Sequence, residues 1–182
     1  MMTFENMQVP RFVFLICVAV LCSCDDDYKT IFAESPDERV HQALNEYNSL
    51  LKDAPNGWRG MLYTGTGAGY FYYFKFDSDG KVSMISDFNE QTASEAMTGS
   101  WMLKALQKPT LTFDTYSYIH LPADPDGDVN GGGNGQGLIS DFEFTFSKTS
   151  GDSVFLKGLK HNTALVLVRA TVEESESILS QQ

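Results

Sequence analysis

The chain has 182 residues, with 13 basic and 24 acidic side chains, and its formal net charge at pH 7 is −11. An acidic surface repels phosphate backbones, which excludes nucleic acid as an expected partner. The three cysteines all precede Asp25, so we expect the rest of the chain to be held together by core packing without disulfides.

The N-terminus predicts export. The apolar run 12–21 has the length of the hydrophobic region of a signal peptide, roughly 7–15 residues, whereas a membrane-spanning helix needs about 20. It ends in Leu21-Cys22-Ser23-Cys24, which resembles the lipobox of bacterial lipoproteins. The resemblance implies cleavage before Cys24 and a lipid on its sulfur. An uncleaved anchor or a plain secretory signal is the alternative.

The chain therefore divides into four parts. Residues 1–23 are the predicted signal peptide, and 24–34 form a lipidated acidic tether without an apolar period. Residues 35–170 are predicted to form one helix followed by an antiparallel β domain. The tail 171–182 has the pattern of the start of a truncated helix, with a frayed terminus as the alternative.

The first predicted element of the domain is a helix. Ser35-Pro36-Asp37-Glu38 is a capping box with proline at the first helical position. Apolar residues then recur at helical spacing, and Ala54-Pro55-Asn56-Gly57 ends the helix. The apolar stripe consists of Val40, Ala43, Leu44, Tyr47, Leu50 and Leu51.

A series of short strands follows. The strongest signal is Tyr70–Phe76, which is rich in aromatic residues and is followed by the turn Asp77-Ser78-Asp79-Gly80. A glycine-rich loop is expected at 122–137. Short strands with turns between them indicate an antiparallel meander, closing into a barrel-like (lipocalin-like) domain or forming a sandwich. Strands are predicted at 58–63, 70–76, 81–88, 93–97, 100–106, 110–114, 116–121, 142–146, 154–157 and 165–169.

Several of these segments carry a family resemblance. Glu46-Tyr47-Asn48-Ser49-Leu50-Leu51, Phe74-Lys75-Phe76-Asp77 and Asp141-Phe142-Glu143-Phe144 resemble an uncharacterised lipoprotein family of Bacteroidota-type bacteria that carries a domain of unknown function. The resemblance spans 39–171. It implies that the chain corresponds to the N-terminal half of such proteins, and it implies no catalytic residues.

The same resemblance bears on location. The acidic run Asp25-Asp26-Asp27 is similar to the signal that sends such lipoproteins to the outer face of the outer membrane. Genes of this kind often lie near glycan- or peptide-uptake systems, which is an association and not an activity. We therefore expect an outer-membrane lipoprotein at the cell surface, with the periplasmic face as the alternative.

One loop has the pattern of a weak calcium site. Asp126, Asp128 and Asn130 occupy positions 1, 3 and 5 of a calcium loop, and Asn134 falls at position 9. Position 12 is Gly137, where a bidentate glutamate is normally found. A flexible acidic loop is the alternative.

Aromatic residues provide a second candidate site. In a strand, Tyr70 and Tyr72 share one face and Tyr73 lies on the other. One face must belong to the core. The other could stack a sugar ring, and the candidate ligand-binding residues are Trp58, Tyr70, Tyr72, Tyr73 and Trp101. The alternative is that both faces are core and barrel lining.

Catalytic patterns are weak. Asp114 with Asp141 or Glu143 is a conceivable carboxylate pair, but the sequence does not show the distance that a glycosidase requires. The three histidines lack metal-ligand spacing. The predicted function is a non-catalytic lipoprotein that binds a glycan, peptide or partner protein. The alternatives are a structural accessory subunit and, last, a secreted hydrolase.

Overall fold

The computed structural model of the protein describes residues 35–180. The predicted signal peptide, the tether with Cys24, and residues 181–182 lie outside this range. The described elements follow in the order α1 Pro36–Lys52, β1 Trp58–Tyr63, β2 Gly69–Phe76, β3 Lys81–Ser86, α2 Glu90–Ser94, β4 Met97–Ala105, β5 Pro109–Phe113, a 3₁₀ helix Tyr118–Ala123, α3 Gly127–Asn130, β6 Glu143–Ser150, β7 Ser153–Gly158, β8 Ala164–Arg169 and α4 Val172–Leu179.

The strands form one closed antiparallel barrel in which β1 to β8 follow one another and β8 pairs with β1. The closing ladder runs the full length of both strands, from Trp58 opposite Arg169 to Tyr63 opposite Ala164. The predicted fold, mainly β with one N-terminal helix, is confirmed. The arrangement is the barrel and not the sandwich.

The barrel interior is filled by aromatic side chains. Tyr72, Phe74 and Phe76 of β2 point inwards, because alternate residues of a strand face opposite sides. The ring centroid of Phe74 lies 5.3 Å from that of Tyr72 and 5.6 Å from that of Phe113. An eight-stranded barrel is just wide enough for side chains to fill. The interior of this one therefore differs from the open cavity of a ligand-carrying lipocalin.

Helix α1 lies at the end of the barrel where β1 begins, which we name the helix mouth. The ring of Tyr47 stacks on that of Phe146 with centroids 3.8 Å apart. Leu51 is buried, and its carbonyl oxygen accepts a hydrogen bond of 2.8 Å from Trp58 Nε1. The predicted apolar stripe of the helix thus covers one opening of the barrel.

The opposite end, where β1 finishes, is the loop mouth, and the long connection 114–142 crosses it. Ile119 of the 3₁₀ helix is fully buried there, and Tyr72 Oη donates to the Tyr118 carbonyl at 3.2 Å. The same connection is tied to the β1–β2 turn, because Gly65 N–H donates to the Ile139 carbonyl at 2.8 Å.

Two predicted strands are wrong. In place of a strand at 116–121, Tyr118–Ala123 form the 3₁₀ helix, because Ser117 N–H is capped by His120 Nδ1 and consecutive apolar residues are buried together at the loop mouth. Residues 93–97 do not form a strand of their own. Asn89 and Thr92 form a capping box that starts α2, and the next strand begins only at Met97.

The C-terminal segment forms an ordered helix on the outside of the barrel. Thr171 and Glu174 make the capping box of α4. Ser175 Oγ lies 3.0 Å from Tyr73 Oη, and Ile178 packs in the same cluster as Tyr73 and Ile85. Within the tail predicted at 171–182, Val172–Leu179 are helical. Among the helices of residues 35–180, none is long and apolar enough to cross a membrane.

Replacing Phe74 tests the filled interior. Phe74→Ala removes a fully buried ring from the centre of the barrel, and we expect it to lower the free energy of unfolding by about 3–5 kcal/mol. The neighbouring Lys75→Ala changes an exposed side chain and should stay within about 0.5 kcal/mol of the wild type. Urea denaturation of both variants measures the difference. Similar losses in the two would contradict a core at this position.

Candidate ligand-binding site

The five aromatic residues of the predicted binding surface do not form one exposed surface in the structure. Trp58, Tyr72 and Trp101 are buried in the barrel interior, where an aromatic strand face must pack. Tyr73 faces outwards but is covered by α4. Tyr70 is half-buried, with its ring centroid 5.0 Å from that of Phe88. The structure therefore does not bring the five residues together at an accessible surface.

The predicted calcium residues lie in one loop, where their polar groups make contacts within the loop. Asp126 caps α3, and its Oδ1 accepts the Asp128 N–H at 3.1 Å. Asn130 Nδ2 donates to Asp124 Oδ2 at 2.9 Å, and the Asn134 amide oxygen lies against Gly127. Across residues 35–180, no group of three or more His, Cys, Asp or Glu side chains could hold a metal ion. Calcium binding stays a prediction.

A concave site opens at the loop mouth, between the connection 114–142 and the β7–β8 turn. We name it the rim pocket. Its volume is about 240 Å³. Its lining combines a few apolar surfaces with several polar side chains, the composition typical of ligand pockets. The lining residues are Ala123, Pro125, Gly135, Gln136, Ser140, Asp141, Phe142, Glu143, Leu159, Lys160 and His161.

Asp141 holds the two walls of the rim pocket together. Its Oδ1 accepts the N–H groups of Lys160 and His161 at 2.8 and 2.9 Å. Its Oδ2 accepts Thr163 N–H at 3.2 Å and Thr163 Oγ1 at 2.6 Å. Gly158 lies so close that a Cβ there would overlap this carboxylate. Asp141 is thus a structural anchor whose oxygens are occupied by the β7–β8 turn.

A second carboxylate fixes the opposite wall. Asp124 Oδ1 accepts Asp126 N–H at 3.0 Å, and its Oδ2 accepts Tyr116 Oη at 3.1 Å. These donors favour the ionised form, and the Asp126 N–H is the largest cause that lowers the pKa of Asp124. The chain near Ala123 and Pro125 is therefore set by local hydrogen bonds.

Ser140 leaves a hydrogen-bonding group unused in the rim pocket. Its side chain is 4% exposed, and within the described residues its Oγ has no hydrogen-bond partner. A buried polar group without a partner typically costs about 1–3 kcal/mol. The preceding Ile139 has a φ of 56°, which is strained for a β-branched residue. Such strain tends to collect at functional sites.

Aromatic rings flank the rim pocket. Phe142 is 40% exposed and Tyr116 is 53% exposed. The buried His120 ring lies between them, 5.4 Å from Tyr116 and 4.6 Å from Phe142, measured between centroids. The rings give the mouth of the pocket an apolar flank on which a ligand ring could stack.

The other predicted carboxylates are also paired. Lys104 Nζ lies 3.4 Å from Asp114 Oδ1 and 3.7 Å from Glu143 Oε1. Thr112 Oγ1 donates to Glu143 at 3.3 Å. The structure thus groups Asp114 with Glu143 around one lysine, while Asp141 is engaged elsewhere.

Of the rim-pocket residues, the sequence points to Asp141 and Glu143 as conceivable carboxylates, but it does not mark Ser140, Phe142 or Lys160 as site residues. The alternation of Phe142 with Phe144 and Phe146 predicts that all three belong to one strand. Only the latter two are buried, because β6 begins at Glu143. Ser140 and Lys160 belong to segments that meet only after the barrel closes, and no local pattern marks them.

Comparison with known proteins gives a family. Residues 28–181 match the profile described as Domain of unknown function (DUF4302), so the chain belongs to that family. No curated protein matches the chain. The expectation of an uncharacterised domain family is confirmed.

His120 predicts how stability depends on pH. Burial lowers its pKa below the ordinary value of 6.5, and Nδ1 already accepts the Ser117 N–H at 3.1 Å. The unfolded chain therefore binds the proton more readily than the folded one. The resulting stabilisation is complete above pH 6.5 and is lost as the pH falls towards the lowered pKa.

The measurement compares wild type with His120→Gln between about pH 7.5 and pH 5. We expect the difference in unfolding free energy between the two proteins to shrink as the pH falls, because only the wild type has the imidazole to protonate. Using the difference cancels the titration of the carboxylates that both proteins share. Parallel pH profiles would contradict the assignment of a neutral buried imidazole.

Proposed function

We propose that this member of the DUF4302 family is an exported, lipid-anchored binding protein that holds a sugar residue of a glycan in the rim pocket. The observation that carries the proposal is the hydroxyl of buried Ser140, which has no hydrogen-bond partner within residues 35–180 and lies in a pocket flanked by the exposed Phe142 ring. A sugar offers what this site lacks, namely hydroxyl groups to bond Ser140 and an apolar ring face to lie on Phe142.

The closed barrel favours a glycan over an extended peptide. A peptide that adds to a sheet needs a strand edge with free N–H and C=O groups. Every strand of this barrel has a neighbour on both sides. Recognition at the rim pocket must therefore depend on side chains, and the available groups include Gln136, Ser140 and His161.

We propose that a lipid on Cys24 anchors the protein to the membrane. The support is the resemblance of Leu21-Cys22-Ser23-Cys24 to a lipobox and of Asp25-Asp26-Asp27 to a surface-export signal. Bacterial lipoprotein lipids provide the two or more acyl chains that stable anchoring needs. A Bacteroidota-type lipoprotein at the cell surface, serving an uptake system, is the finer form of this proposal.

Catalysis is not part of the proposal. Glycoside hydrolysis needs two carboxyl groups free to act across a bound sugar. Asp141 accepts four hydrogen bonds from the β7–β8 turn, and Glu143 is held by Lys104 and Thr112. The carboxylates beside the rim pocket thus have structural partners.

A second candidate function is that of an accessory subunit. One observation favours it, a row of half-buried apolar side chains on the outer wall of the barrel. Phe71, Met61, Val166 and Phe155 lie opposite one another on the adjacent strands β2, β1, β8 and β7. Apolar rows of this kind mark contact surfaces. Absence of glycan binding by a folded protein would favour this candidate.

Lipidation is tested by Cys24→Ser. We expect the wild type to incorporate a labelled fatty acid and to fractionate with membranes, and the variant to lose both properties because its hydroxyl is not the lipid acceptor. Cys22→Ser is the matched control and should retain the label. Equal labelling of the two variants would contradict a lipid on Cys24.

Glycan binding is tested by Phe142→Ala in a thermal-shift panel of oligosaccharides and peptides on the full chain in detergent. A ligand present at about 100 times its dissociation constant stabilises the folded state by about 2.7 kcal/mol. Loss of the stacking ring should weaken an active sugar about tenfold.

Tyr63→Ala removes another exposed aromatic ring outside the rim pocket and serves as the control. It should bind the active sugar like the wild type. Equal loss in both variants, or no glycan response from a chain that melts cooperatively, would refute the proposal.

A further inference from the structure

A second depression continues from the rim pocket along the outer face of β5, β6 and β7. We name it the lysine groove. Its volume is about 590 Å³, and it shares Leu159 with the rim pocket. The two cavities therefore adjoin at Leu159 on one surface of the barrel. The lysine groove is lined mainly by Leu106, Lys108, Thr110, Thr145, Lys157 and Asn162.

Three lysines along this surface have no opposite charge beside them. Lys108, Lys157 and Lys160 are exposed, and within the described residues none of them forms an ion pair. Lys104 differs, because Asp114 and Glu143 neutralise it. On a chain with a net charge of −11, these three lysines form a local group of positive charges.

Two carboxylates, Asp141 and Glu143, line the same surface, so its lining contains three ammonium groups against two carboxylates. Asp141 directs both oxygens at the β7–β8 turn. Glu143 has Lys104 and Thr112 as partners. The lining therefore has a net charge of about +1 with histidine neutral, and its exposed ammonium groups can attract anions.

We propose that the ligand of this protein is an acidic glycan, whose carboxylate or sulfate groups contact Lys108, Lys157 and Lys160 while one of its sugar rings occupies the rim pocket. This inference rests on the proposed glycan-binding function and specifies the class of glycan. The floor of the lysine groove suits a sugar chain. The exposed side chains of Gln107 and Asn162 line it and provide amide groups that can bond sugar hydroxyls.

The pairing of the strands beneath the lysine groove also disfavours an acidic peptide as the ligand. Peptide recognition at a sheet commonly adds a strand, and here β6 pairs with both β5 and β7. Only the side chains remain available to a peptide. A charged glycan can contact the lysines and the side-chain amides of Gln107 and Asn162 together, so its rings and its charges both contribute.

The test is calorimetric titration of the full chain in detergent with tetragalacturonate and with its methyl ester, which has the same rings without the charges. A heparin-derived tetrasaccharide represents sulfated glycans, and tetraglutamate represents acidic peptides. We expect one of the acidic glycans to bind, its affinity to fall with added salt, and the methyl ester to bind about tenfold more weakly than tetragalacturonate.

Charge-neutralising variants locate the interaction. Lys108→Gln/Lys157→Gln/Lys160→Gln should reduce the affinity for the acidic glycan about tenfold, because exposed ion pairs are individually weak. Lys52→Gln/Lys75→Gln/Lys81→Gln removes the same charge from exposed positions elsewhere and should leave the affinity unchanged. The matched variant separates local contacts from the change in net charge.

The outcomes distinguish this inference from the proposed function. Equal binding of tetragalacturonate and its ester, unaffected by the groove lysines, would overturn the acidic class and leave glycan binding in place. Binding of tetraglutamate as tightly as the acidic glycans would overturn the glycan class in favour of an acidic peptide. No binding by either acidic glycan would overturn the inference, and the neutral sugars of the Phe142→Ala panel would then decide the proposed function.

Discussion

The closure of eight strands around an aromatic interior is the constraint on which the rest of the structure depends. Every strand has two neighbours, and rings such as Phe74 and Phe113 leave the interior filled. Stability in this cysteine-free domain thus comes from packing and from the continuous ladder. The same closure removes the two usual sites of a β domain, a free sheet edge and a central cavity, so recognition moves to the ends and the outer wall.

The helix mouth and the loop mouth are closed in different ways. The helix mouth is closed by an amphipathic helix through the contacts of Tyr47 and Leu51 with the core. The loop mouth is closed by a connection whose backbone is strained at Ile139 and whose Ser140 hydroxyl has no partner among the described residues. The Ile139 backbone and the Ser140 hydroxyl therefore both lower the stability of the loop mouth. The buried carboxylate of Asp141 lies beside them and holds the β7–β8 turn by hydrogen bonds.

Local signals in the sequence were reliable for elements that local chemistry determines. The capping-box pattern at Ser35, the turn at Asp77–Gly80 and the aromatic alternation of β2 correctly predict α1, the β2–β3 hairpin and the barrel wall. The prediction of a strand at 116–121 failed because those apolar residues fill a mouth of the barrel. The rim pocket and the lysine groove depend on β5, β6 and β7 becoming neighbours, which places Lys108 near Lys157. Surfaces formed by residues that are far apart in the sequence leave no local pattern. In addition, the overall negative charge of the chain argues against a basic surface.

The most direct test of this account is to map an acidic glycan onto the folded protein. Backbone amide shifts would be recorded by NMR during titration with tetragalacturonate or the heparin-derived tetrasaccharide. We expect the shifts to concentrate at 106–110, 135–143 and 157–162, with α1 and α4 unaffected. Shifts confined to α1, α4 or the apolar row on β1, β2, β7 and β8 would contradict a binding site at the loop mouth and would favour the accessory role.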